Sequence, residues 1–405
     1  MAPYFPRTLE TVIASASRSF PVVLVTGARQ VGKTTMLQHA ATPTRRYVTL
    51  DDPLLRALAR QDPALFLQRY QPPVLIDEVQ YAPELLPHIK MAVDAGRKGG
   101  MFWLTGSQQF HMMRGVSESL AGRVAVLELH AMSRAEVRRD GATVQPFHPV
   151  AEPLPVHAHS SLRDIFAGIW RGWYPALVGP VPPDRSLFYH SYVQTYLQRD
   201  IRDLARVGDE RAFLRFLVGV AARTAQMLNL TDLARDADIA PNTAKSWLSL
   251  LESSGIVTLL QPWHVNRSSR IVKTPKLYML DTGLAAWLTQ WSSAETLEAG
   301  AMAGAMLETW VVAEIIKRRA GGSVTGDLFY YRDKERREID LLIERDGVVH
   351  PIEIKKSASP HRDDIRHFDV LDRLGVRRGT GALLCLVRES LPLTERDWAH
   401  PVGVF

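Results

Sequence analysis

The sequence contains one cysteine, Cys385, among 405 residues, which excludes an intramolecular disulfide and a zinc site built on several cysteines. No uninterrupted apolar run reaches the ~18 residues that a membrane-spanning helix needs. The first seven residues also lack the charged and then apolar pattern of a secretion signal. We therefore expect a cytoplasmic protein without a membrane partner, whose apolar residues (46% of the chain) form globular cores.

The sequence also lacks a strong excess of positive or negative side chains. The 49 lysines and arginines against 43 aspartates and glutamates give a formal net charge of +6. This balance is compatible with a polyanionic partner such as DNA but is too mild to establish one. At about 150 residues per domain, the length predicts two to four domains.

The most informative motif that is present is a glycine-containing loop between a predicted strand and a predicted helix. Residues 27–34 fit G-x-x-x-x-G-K-[ST]. In such a loop the backbone N–H groups and the helix N-terminus face an anion. The sequence predicts a site for a nucleoside triphosphate, expected to be ATP, in which Lys33 reaches the β- and γ-phosphates and the Thr34 hydroxyl ligates Mg²⁺. The residues assigned to this site are Gly27, Ala28, Arg29, Gln30, Val31, Gly32, Lys33, Thr34 and Thr35.

Two acidic residues end the next buried-strand pattern, Val74–Ile76. Asp77 is predicted to hold Mg²⁺, directly or through water, and Glu78 to polarise the attacking water. A third strand, predicted at 101–105, is followed by Ser107 and Gln108. Either residue is a candidate sensor of the γ-phosphate, and a plain turn is the alternative.

Strand and helix patterns alternate from about residue 21 to residue 129, which predicts an α/β fold with a mostly parallel sheet covered by helices on both faces. This ATPase domain, assigned to residues 1–139, resembles AAA+ ATPases. In that family the helix before the fifth strand ends in an arginine that reaches a neighbouring subunit's γ-phosphate. The resemblance implies this role for Arg123, with Arg114 as a competitor and a plain surface arginine as the alternative. If Arg123 is such an arginine finger, the active enzyme must be a homo-oligomer.

The segment after the ATPase domain contains several prolines and few periodic apolar residues between 140 and 160. It predicts a linker or long loop that opens a helical, lid-like region over 140–210. Basic and acidic residues alternate near residues 199–202 of that region. This pattern is compatible with a nucleotide-sensing arginine and also with a solvated helix end.

Residues 211–285 show two helical patterns separated by a tight turn and followed by two strand patterns. This order predicts a winged helix-turn-helix, whose second helix commonly enters the major groove of DNA. A domain that contacts only proteins is the alternative, because nearby acidic residues dilute the positive field. The predicted DNA contacts are Thr243 and Lys245 on the second helix and Arg267, Arg270 and Lys273 at the basic wing tip.

Residues 286–405 contain a predicted hairpin that brings Asp340 beside Glu353. Glu353 and Lys355 are two residues apart on one strand, so they project from the same face. An acid followed by Glu-x-Lys on the neighbouring strand resembles the PD-(D/E)xK nucleases. The resemblance implies that Asp340, Glu353 and the Ile354 carbonyl bind Mg²⁺ or Mn²⁺, that Lys355 assists the nucleophile or stabilises charge, and that Glu308 is an extra acid. The element order predicts a restriction-endonuclease-like α/β domain, either an active nuclease or a binding module.

Nearly the whole chain resembles prokaryotic AAA+-like ATPases with a C-terminal domain of unknown function related to archaeal Holliday-junction resolvases. The resemblance implies an ATP-dependent DNA-processing enzyme, with branched or junction DNA as a candidate partner. The alternative is a regulatory nucleotide switch whose winged-helix and nuclease-like domains only bind DNA or protein. The resemblance rests on residues 27–34, 104–108, 118–123, 279–283 and 353–355.

Overall fold

The computed structural model describes residues 4–106, 119–157, 161–196, 209–265, 274–319 and 326–405. Within these ranges the strands form sheets of five, six and three strands. No helix in the same ranges is long and apolar enough to cross a membrane.

The five-stranded sheet consists of β1 (Val22–Thr26), β2 (Arg46–Thr49), β3 (Val74–Asp77), β4 (Phe102–Thr105) and β5 (Val124–Glu128). Its order is β2-β3-β4-β1-β5, and every pair is parallel. Strands β1, β3 and β4 are fully buried, as parallel strands covered on both faces are. The predicted P-loop α/β sheet is thereby confirmed, and β4 lies between β1 and β3 with the carboxyl ends of all three at one edge.

Two separate cores cover the faces of this sheet. Val22 and Leu24 pack in one core, whereas Val23 and Val25 pack in the other, because successive side chains of a strand point to opposite faces. The second core continues into the middle of the chain. The helices of this region are α1 (Leu9–Ser19), α2 (Lys33–Ala40), α3 (Pro53–Gln61), α4 (Pro63–Arg69), α5 (Leu85–Gly96) and α6 (Arg134–Val137), with a 3₁₀ turn at Val79–Tyr81.

The described part of the predicted linker, up to residue 157, has no helix or strand after α6. It packs along the C-terminal part of the chain. The Phe147 ring lies 5.2 Å from the Phe405 ring, and the Leu154 N–H donates to the Ser390 hydroxyl at 3.0 Å. Three helices follow: α7 (Leu162–Arg171), α8 (Pro175–Val178) and α9 (Arg185–Tyr196).

The next region includes two helices joined by a turn and followed by two strands, the order from which a winged helix-turn-helix was predicted. These are α10 (Glu210–Ala222), β6 (Gln226–Met227), α11 (Leu230–Ala237), α12 (Pro241–Ser253), β7 (Val257–Leu260) and β8 (Lys276–Met279). The three strands form an antiparallel sheet in the order β6-β8-β7. On α12, Trp247 and Leu251 are buried and Lys245 is exposed, so this helix has the predicted inward and outward faces.

The C-terminal α/β domain is built on a mixed sheet with the order β13-β14-β12-β11-β10-β9. Its strands are β9 (Asp327–Arg332), β10 (Glu338–Arg345), β11 (Val348–Ile354), β12 (Gly381–Cys385), β13 (Leu391–Pro392) and β14 (Asp397–Pro401). The helices after β8 are α13 (Thr282–Leu288), α14 (Ala294–Ala299), α15 (Ala303–Arg319) and α16 (Asp369–Arg373). The chain ends in a 3₁₀ turn, Val402–Val404.

Between β11 and β12 the chain forms a 3₁₀ segment as well as an α-helix. A 3₁₀ segment, Arg362–Phe368, precedes the short helix α16. The buried side chains Ile365 and Phe368 are three residues apart, which matches the three-residue turn of a 3₁₀ helix.

Candidate functional site

The predicted phosphate loop lies between β1 and α2, and its two glycines have left-handed backbones. Gly27 has φ 136°, and a Cβ there would collide with the carbonyl oxygen of Leu129. Gly32 has φ 92° and is the N-cap of α2. Both conformations strongly favour glycine, so the motif glycines are required by the chain path.

The remaining loop residues differ in exposure. Lys33 is buried, and its Nζ donates to the carbonyl oxygens of Gly27 and Ala28, each at 2.9 Å. The ammonium is therefore held against the loop that is expected to receive phosphate. Ala28 and Val31 are buried, Arg29 and Thr34 are half-buried, and Gln30 and Thr35 are exposed.

Arg7, in the N-terminal segment, also contacts the phosphate loop. Arg7 donates to the carbonyl oxygens of Val31 at 2.8 Å and His130 at 2.7 Å. It also pairs with Glu136 at 3.1 Å, and both side chains are almost fully buried. The guanidinium of arginine suits this position, because one permanently charged side chain can contact a carboxylate and donate to two carbonyl groups.

The Asp77 carboxylate is the meeting point of three hydroxyl groups. Thr34 Oγ1 donates to it at 2.9 and 3.1 Å, Tyr47 donates at 3.1 Å, and Thr105 also donates. Burial and the Asp77 charge raise the pKa of Tyr47 to about 12, so it stays a donor at neutral pH. A hydroxyl and a carboxylate oxygen this close are the hard ligands that Mg²⁺ prefers, so Thr34 and Asp77 fit the predicted magnesium site.

Glu78 follows β3 in a left-handed backbone conformation with φ 56°. Its N–H donates to Thr105 Oγ1 at 3.1 Å, and Gln80 Nε2 donates to its carboxylate. Strained non-glycine backbones of this kind are retained where the surroundings fix them, often at functional sites. Thr105 thus connects Asp77 to Glu78.

Arg123 is bound within its own chain. Its guanidinium makes two hydrogen bonds to the Asp94 carboxylate on α5, at 2.6 and 3.1 Å. It directly precedes β5, at the amino-end edge of the sheet, whereas the phosphate loop follows β1 at the opposite edge. If Arg123 acts as an arginine finger, the nucleotide that it contacts is therefore bound to a different subunit. Its predicted competitor Arg114 and the predicted sensors Ser107 and Gln108 lie outside the described residues.

A cavity of about 590 Å³ opens beside the phosphate loop. Gly32 and Thr35 form one wall, Pro175 another, and Tyr4 and His39 a third. The Tyr4 and His39 rings are stacked, with centroids 3.7 Å apart. The cavity places aromatic and apolar surface next to a helix N-terminus.

The C-terminal acidic residues converge as predicted. Strands β10 and β11 are antiparallel neighbours with Leu341 opposite Ile352, which puts Asp340 opposite Glu353. Lys355 Nζ pairs with the Glu353 carboxylate at 2.7 Å, and the Ile354 N–H donates to Asp340 at 3.0 Å. We call Glu308, Glu338, Asp340 and Glu353 the acid cluster.

A lysine from the three-stranded sheet also contacts the acid cluster. Lys276, the first residue of β8, lies with its Nζ 2.6 Å from Glu338, 3.0 Å from Glu308 and 3.6 Å from Asp340. Its side chain is 3% exposed. Tyr278, two residues along β8, donates to Glu308 at 2.7 Å.

Burial and mutual repulsion shift the pKa values of this cluster. Burial, reinforced by Asp340, raises the pKa of Glu308 to about 7 and that of Glu353 to about 8. Burial alone would lower the pKa of Lys276, but Tyr278 and the surrounding carboxylates raise it well above its ordinary value. Lys276 therefore carries a positive charge beside Glu308, whose raised pKa makes it resist ionisation, and Glu338, whose pKa the ammonium lowers.

In this structure lysine ammonium groups, and not a metal ion, are the positive charges that contact the carboxylates of the acid cluster. Glu308 and Asp340 contact Lys276, and Glu353 contacts Lys355. Among the described residues no group of three or more histidine, cysteine, aspartate or glutamate side chains is arranged to hold a metal ion.

The predicted DNA contacts are only partly described. Lys245 is exposed and Thr243 half-buried on α12, whereas Arg267, Arg270 and Lys273 lie outside the described residues. Trp263, which follows β7, contacts the C-terminal domain. Its backbone N–H donates to the Tyr330 carbonyl at 2.7 Å.

Comparison with known families agrees with the geometry of the phosphate loop. Residues 19–138, which include the loop, Asp77 and Glu78, match the family model described as AAA domain. The chain contains an AAA-type P-loop ATPase domain. Residues 162–295 match Domain of unknown function (DUF8612), and residues 303–405 match Domain of unknown function (DUF4143).

Two uncharacterized mycobacterial proteins are similar over most of the chain. The protein of Mycobacterium tuberculosis and that of Mycobacterium bovis are each 29% identical over 342 residues, covering 84% of this chain and 71% of the relative.

Two archaeal structures are similar at low sequence identity. The Walker-type ATPase of Pyrococcus abyssi has a TM-score of 0.45 at 15% identity and covers 70% of this chain and 96% of its own. A signal transduction ATPase with numerous domains and a tetratricopeptide repeat sensor, from Pyrococcus horikoshii, has a TM-score of 0.24 at 10% identity, with coverage of 80% and 49%.

Several residues that contact the predicted sites were not predicted from the sequence, and three of them make central contacts. In the ATPase domain these are Arg7 and Thr105, and in the acid cluster it is Lys276. Thr105 had a usable signal, because it is the last residue of a predicted strand that ends at the nucleotide. Arg7 and Lys276 had none, since each is far in sequence from the groups it contacts.

Proposed function

We propose that the chain is an ATP-driven DNA-processing enzyme. An oligomeric AAA+-like ATPase would act on DNA that the winged helix binds and that the C-terminal domain cuts with a divalent metal ion. The observation that carries the proposal is the contact of Lys276, on the wing strand β8, with the acid cluster. The predicted DNA-binding element and the predicted nuclease centre are thus in direct contact through a buried side chain.

The residues of the ATPase domain support hydrolysis. Lys33 would exchange its two loop carbonyl groups for the terminal phosphates, because an ammonium binds a phosphate oxygen more strongly than a neutral carbonyl. Glu78 would orient and polarise the attacking water, with its backbone held by Thr105. Bound Mg²⁺ would neutralise phosphate charge, held by Thr34 and Asp77. The cavity beside Gly32 suits the sugar and base of ATP.

An oligomer would complete the ATPase site. Arg123 would leave Asp94 and reach the γ-phosphate of the neighbouring subunit, where its planar, permanently charged fork stabilises the transition state. Because Asp94 holds Arg123 by two hydrogen bonds in the single chain, assembly and nucleotide would compete with that pair.

DNA would lie across the wing and the acid cluster. Lys273 is three residues before Lys276, a stretch that spans at most about 11 Å. Lys355 is 42% exposed in its side chain and can meet a phosphate from solvent, while Asp340 and Glu353 would hold the metal that activates water.

The test is a cleavage assay on labelled duplex, fork and four-way junction DNA with Mg²⁺ or Mn²⁺, with and without ATP. Wild type should cut at least one of these DNAs, and Asp340→Ala and Lys355→Ala should bind it without cutting. Lys33→Ala serves as the control, because it disables the ATPase and leaves the acid cluster intact. Cleavage that persists in Asp340→Ala would rule out this metal centre.

The wing contribution can be measured separately. Replacing Arg267, Arg270 and Lys273 together should weaken binding to all DNA sequences alike. It should also reduce the slope of log K against log salt, by up to about 0.9 for each phosphate that the variant no longer neutralises. An unchanged slope would place the DNA-binding surface elsewhere.

A regulatory nucleotide switch is the second candidate, and one contact favours it. The turn that ends α12 lies on the phosphate loop, where a Cβ on Gly255 would be 3.3 Å from the Ala28 nitrogen. Nucleotide in the loop could thereby move the winged helix without any cleavage. Slow, nucleotide-locked states that DNA does not stimulate would support the switch, whereas multiple-turnover hydrolysis stimulated by DNA would support the DNA-processing enzyme.

A further inference from the structure

A second cavity, of about 570 Å³, shares no lining residue with the cavity beside the phosphate loop. Three tryptophans line it: Trp170 on α7, Trp287 on α13 and Trp291 between α13 and α14. Leu214 and Val218 of α10 add apolar surface. A cavity of this volume with aromatic walls and a few polar groups is typical of a ligand site, and the proposed function does not use it.

An arginine is also part of this cavity. Arg185 begins α9, and its guanidinium carbon lies 4.1 Å from the centroid of the Trp170 ring. Its Nε donates to the Trp170 carbonyl oxygen at 2.7 Å, and its Nη2 donates to that of Gly283 at 3.1 Å. These contacts fix the planar cation, and neither of them uses Nη1. Arg185 therefore brings a positive charge with a further donor to the aromatic wall.

The indole N–H of Trp291 is a buried donor that has no acceptor among the residues that the structure describes. The other two indoles differ from it. Trp170 donates to the Trp291 carbonyl oxygen at 2.8 Å, and Trp287 donates to the Ser186 hydroxyl at 3.3 Å. A buried donor without an acceptor destabilises a fold, so a ligand that accepts from Trp291 would bind favourably there.

We propose that this cavity binds a base of single-stranded DNA. Every base has a π-face that stacks on tryptophan, and arginine adds a cation–π contribution. The edge of a base also carries carbonyl or ring-nitrogen acceptors for the N–H groups of Trp291 and Arg185. An aliphatic or phenyl side chain of a protein partner would fill the apolar part but leave these donors unpaired. The inference rests on the proposed action on DNA and adds a base site remote in sequence from the wing.

The backbone of the bound strand would meet Arg211. This residue is exposed on α10, one turn before Leu214, so the two side chains share a helix face. An arginine at that position can donate to a phosphate next to the stacked base. Binding should therefore have two separable parts: a base-dependent part from the indoles and a salt-dependent part from Arg211.

The experiment measures the affinity of the nucleotide-free, full-length protein for labelled single strands by fluorescence anisotropy. One ligand is an oligothymidylate of about eight nucleotides, a length within the site sizes of single-strand binding modules. The matched ligand is an abasic strand of the same length, which has the same phosphates and no bases. Wild type should bind the oligothymidylate at least about tenfold more tightly than the abasic strand.

Four variants locate the site. Trp287→Leu should weaken oligothymidylate binding at least about fivefold and leave abasic binding unchanged, whereas Trp287→Phe should keep most of the affinity because it keeps a stacking face. Arg211→Ala should weaken binding of both strands and reduce its salt dependence. Lys33→Ala should bind both strands like wild type, which separates this cavity from the ATP site.

Equal affinity of wild type for the two strands would overturn the inference, as would wild-type oligothymidylate affinity in Trp287→Leu. If that variant does not fold, Trp291→Phe decides, because loss of the indole N–H should weaken oligothymidylate binding and not abasic binding. Competition by thymidine monophosphate as strong as by the strand would overturn the assignment to a strand. Stronger competition by N-acetylphenylalaninamide than by thymidine monophosphate would assign the cavity to a protein side chain instead.

The outcomes for this cavity and for the proposed nuclease are distinguishable. Base-dependent binding that requires Trp287, without cleavage of any DNA, would support this inference and reject the nuclease. Cleavage of DNA together with equal affinity for the two single strands would reject this inference and leave the proposed function in place.

Discussion

Thr105→Val tests whether the hydroxyl at the end of β4 controls the catalytic acids. Thr105 is fully buried and joins the two acids, since it donates to Asp77 and accepts from the Glu78 N–H at 3.1 Å. Valine has nearly the same shape but no hydroxyl. The substitution removes both hydrogen bonds and leaves the packing of β4 unchanged.

The size of the effect follows from the unpaired groups. A buried donor left without an acceptor costs about 1–3 kcal/mol, and the left-handed backbone of Glu78 is then without the hydrogen bond that holds it in place. We expect the free energy of unfolding to fall by about 1–3 kcal/mol. We expect kcat for ATP to fall about 10- to 100-fold, equivalent to ~1.4–2.7 kcal/mol of transition-state stabilisation. Nucleotide affinity should stay near wild type, because Thr105 is not part of the phosphate loop.

The assay is steady-state phosphate release at saturating ATP and Mg²⁺, combined with calorimetric nucleotide binding and urea unfolding. Thr105→Ser is the matched control, because it keeps the hydroxyl and removes only a methyl group. Its kcat should stay close to wild type. A Thr105→Val protein with wild-type kcat, or a serine variant as slow as the valine variant, would refute the role assigned to the hydroxyl.

Three further predictions concern the ATPase domain and the linker that follows it. Glu78→Gln should retain ATP binding and slow hydrolysis by orders of magnitude in a phosphate-release assay, and normal turnover would contradict its role as the water-polarising acid. Arg123→Ala and Lys33→Ala should each be inactive alone but regain ATPase activity when mixed, since each supplies the group that the other lacks; full activity of a monomeric sample would contradict a finger in trans. Burial and the neighbouring His350, whose ring lies 4.2 Å away, lower the pKa of His148 to about 4. Its contribution to stability is therefore present above about pH 6.5 and is lost as the pH falls towards 4, and His148→Phe should flatten that dependence in urea unfolding.

Much of the ATPase domain could be predicted from local patterns. The phosphate loop is contiguous, and its glycines, lysine and threonine are identified by spacing alone because one strand, one loop and one helix position all of them. Alternating apolar runs predicted the parallel sheet, and the placement of Asp77 at a strand end predicted its proximity to Thr34. The two-residue period of a strand likewise predicted that Glu353 and Lys355 share a face.

Other contacts depended on strand order and domain packing, which no local pattern encodes. Because β4 inserts between β1 and β3, Thr105 meets Asp77, 28 residues away in sequence. Arg123 was predicted from its place in the chain, but its pairing with Asp94 required the folded position of α5.

Local sequence patterns were enough to predict the nucleotide-binding loop, the alternation of strands and helices, and the hairpin with Asp340 and Glu353, because each depends on residues that are neighbours along the chain or in one hairpin. The contact of Lys276, on the three-stranded sheet, with the acid cluster of the C-terminal domain arises instead from the tertiary fold. That contact joins residues 32 to 64 positions apart. It exists because burying several carboxylates together requires a cation, and folding brings the charge of Lys276 to them.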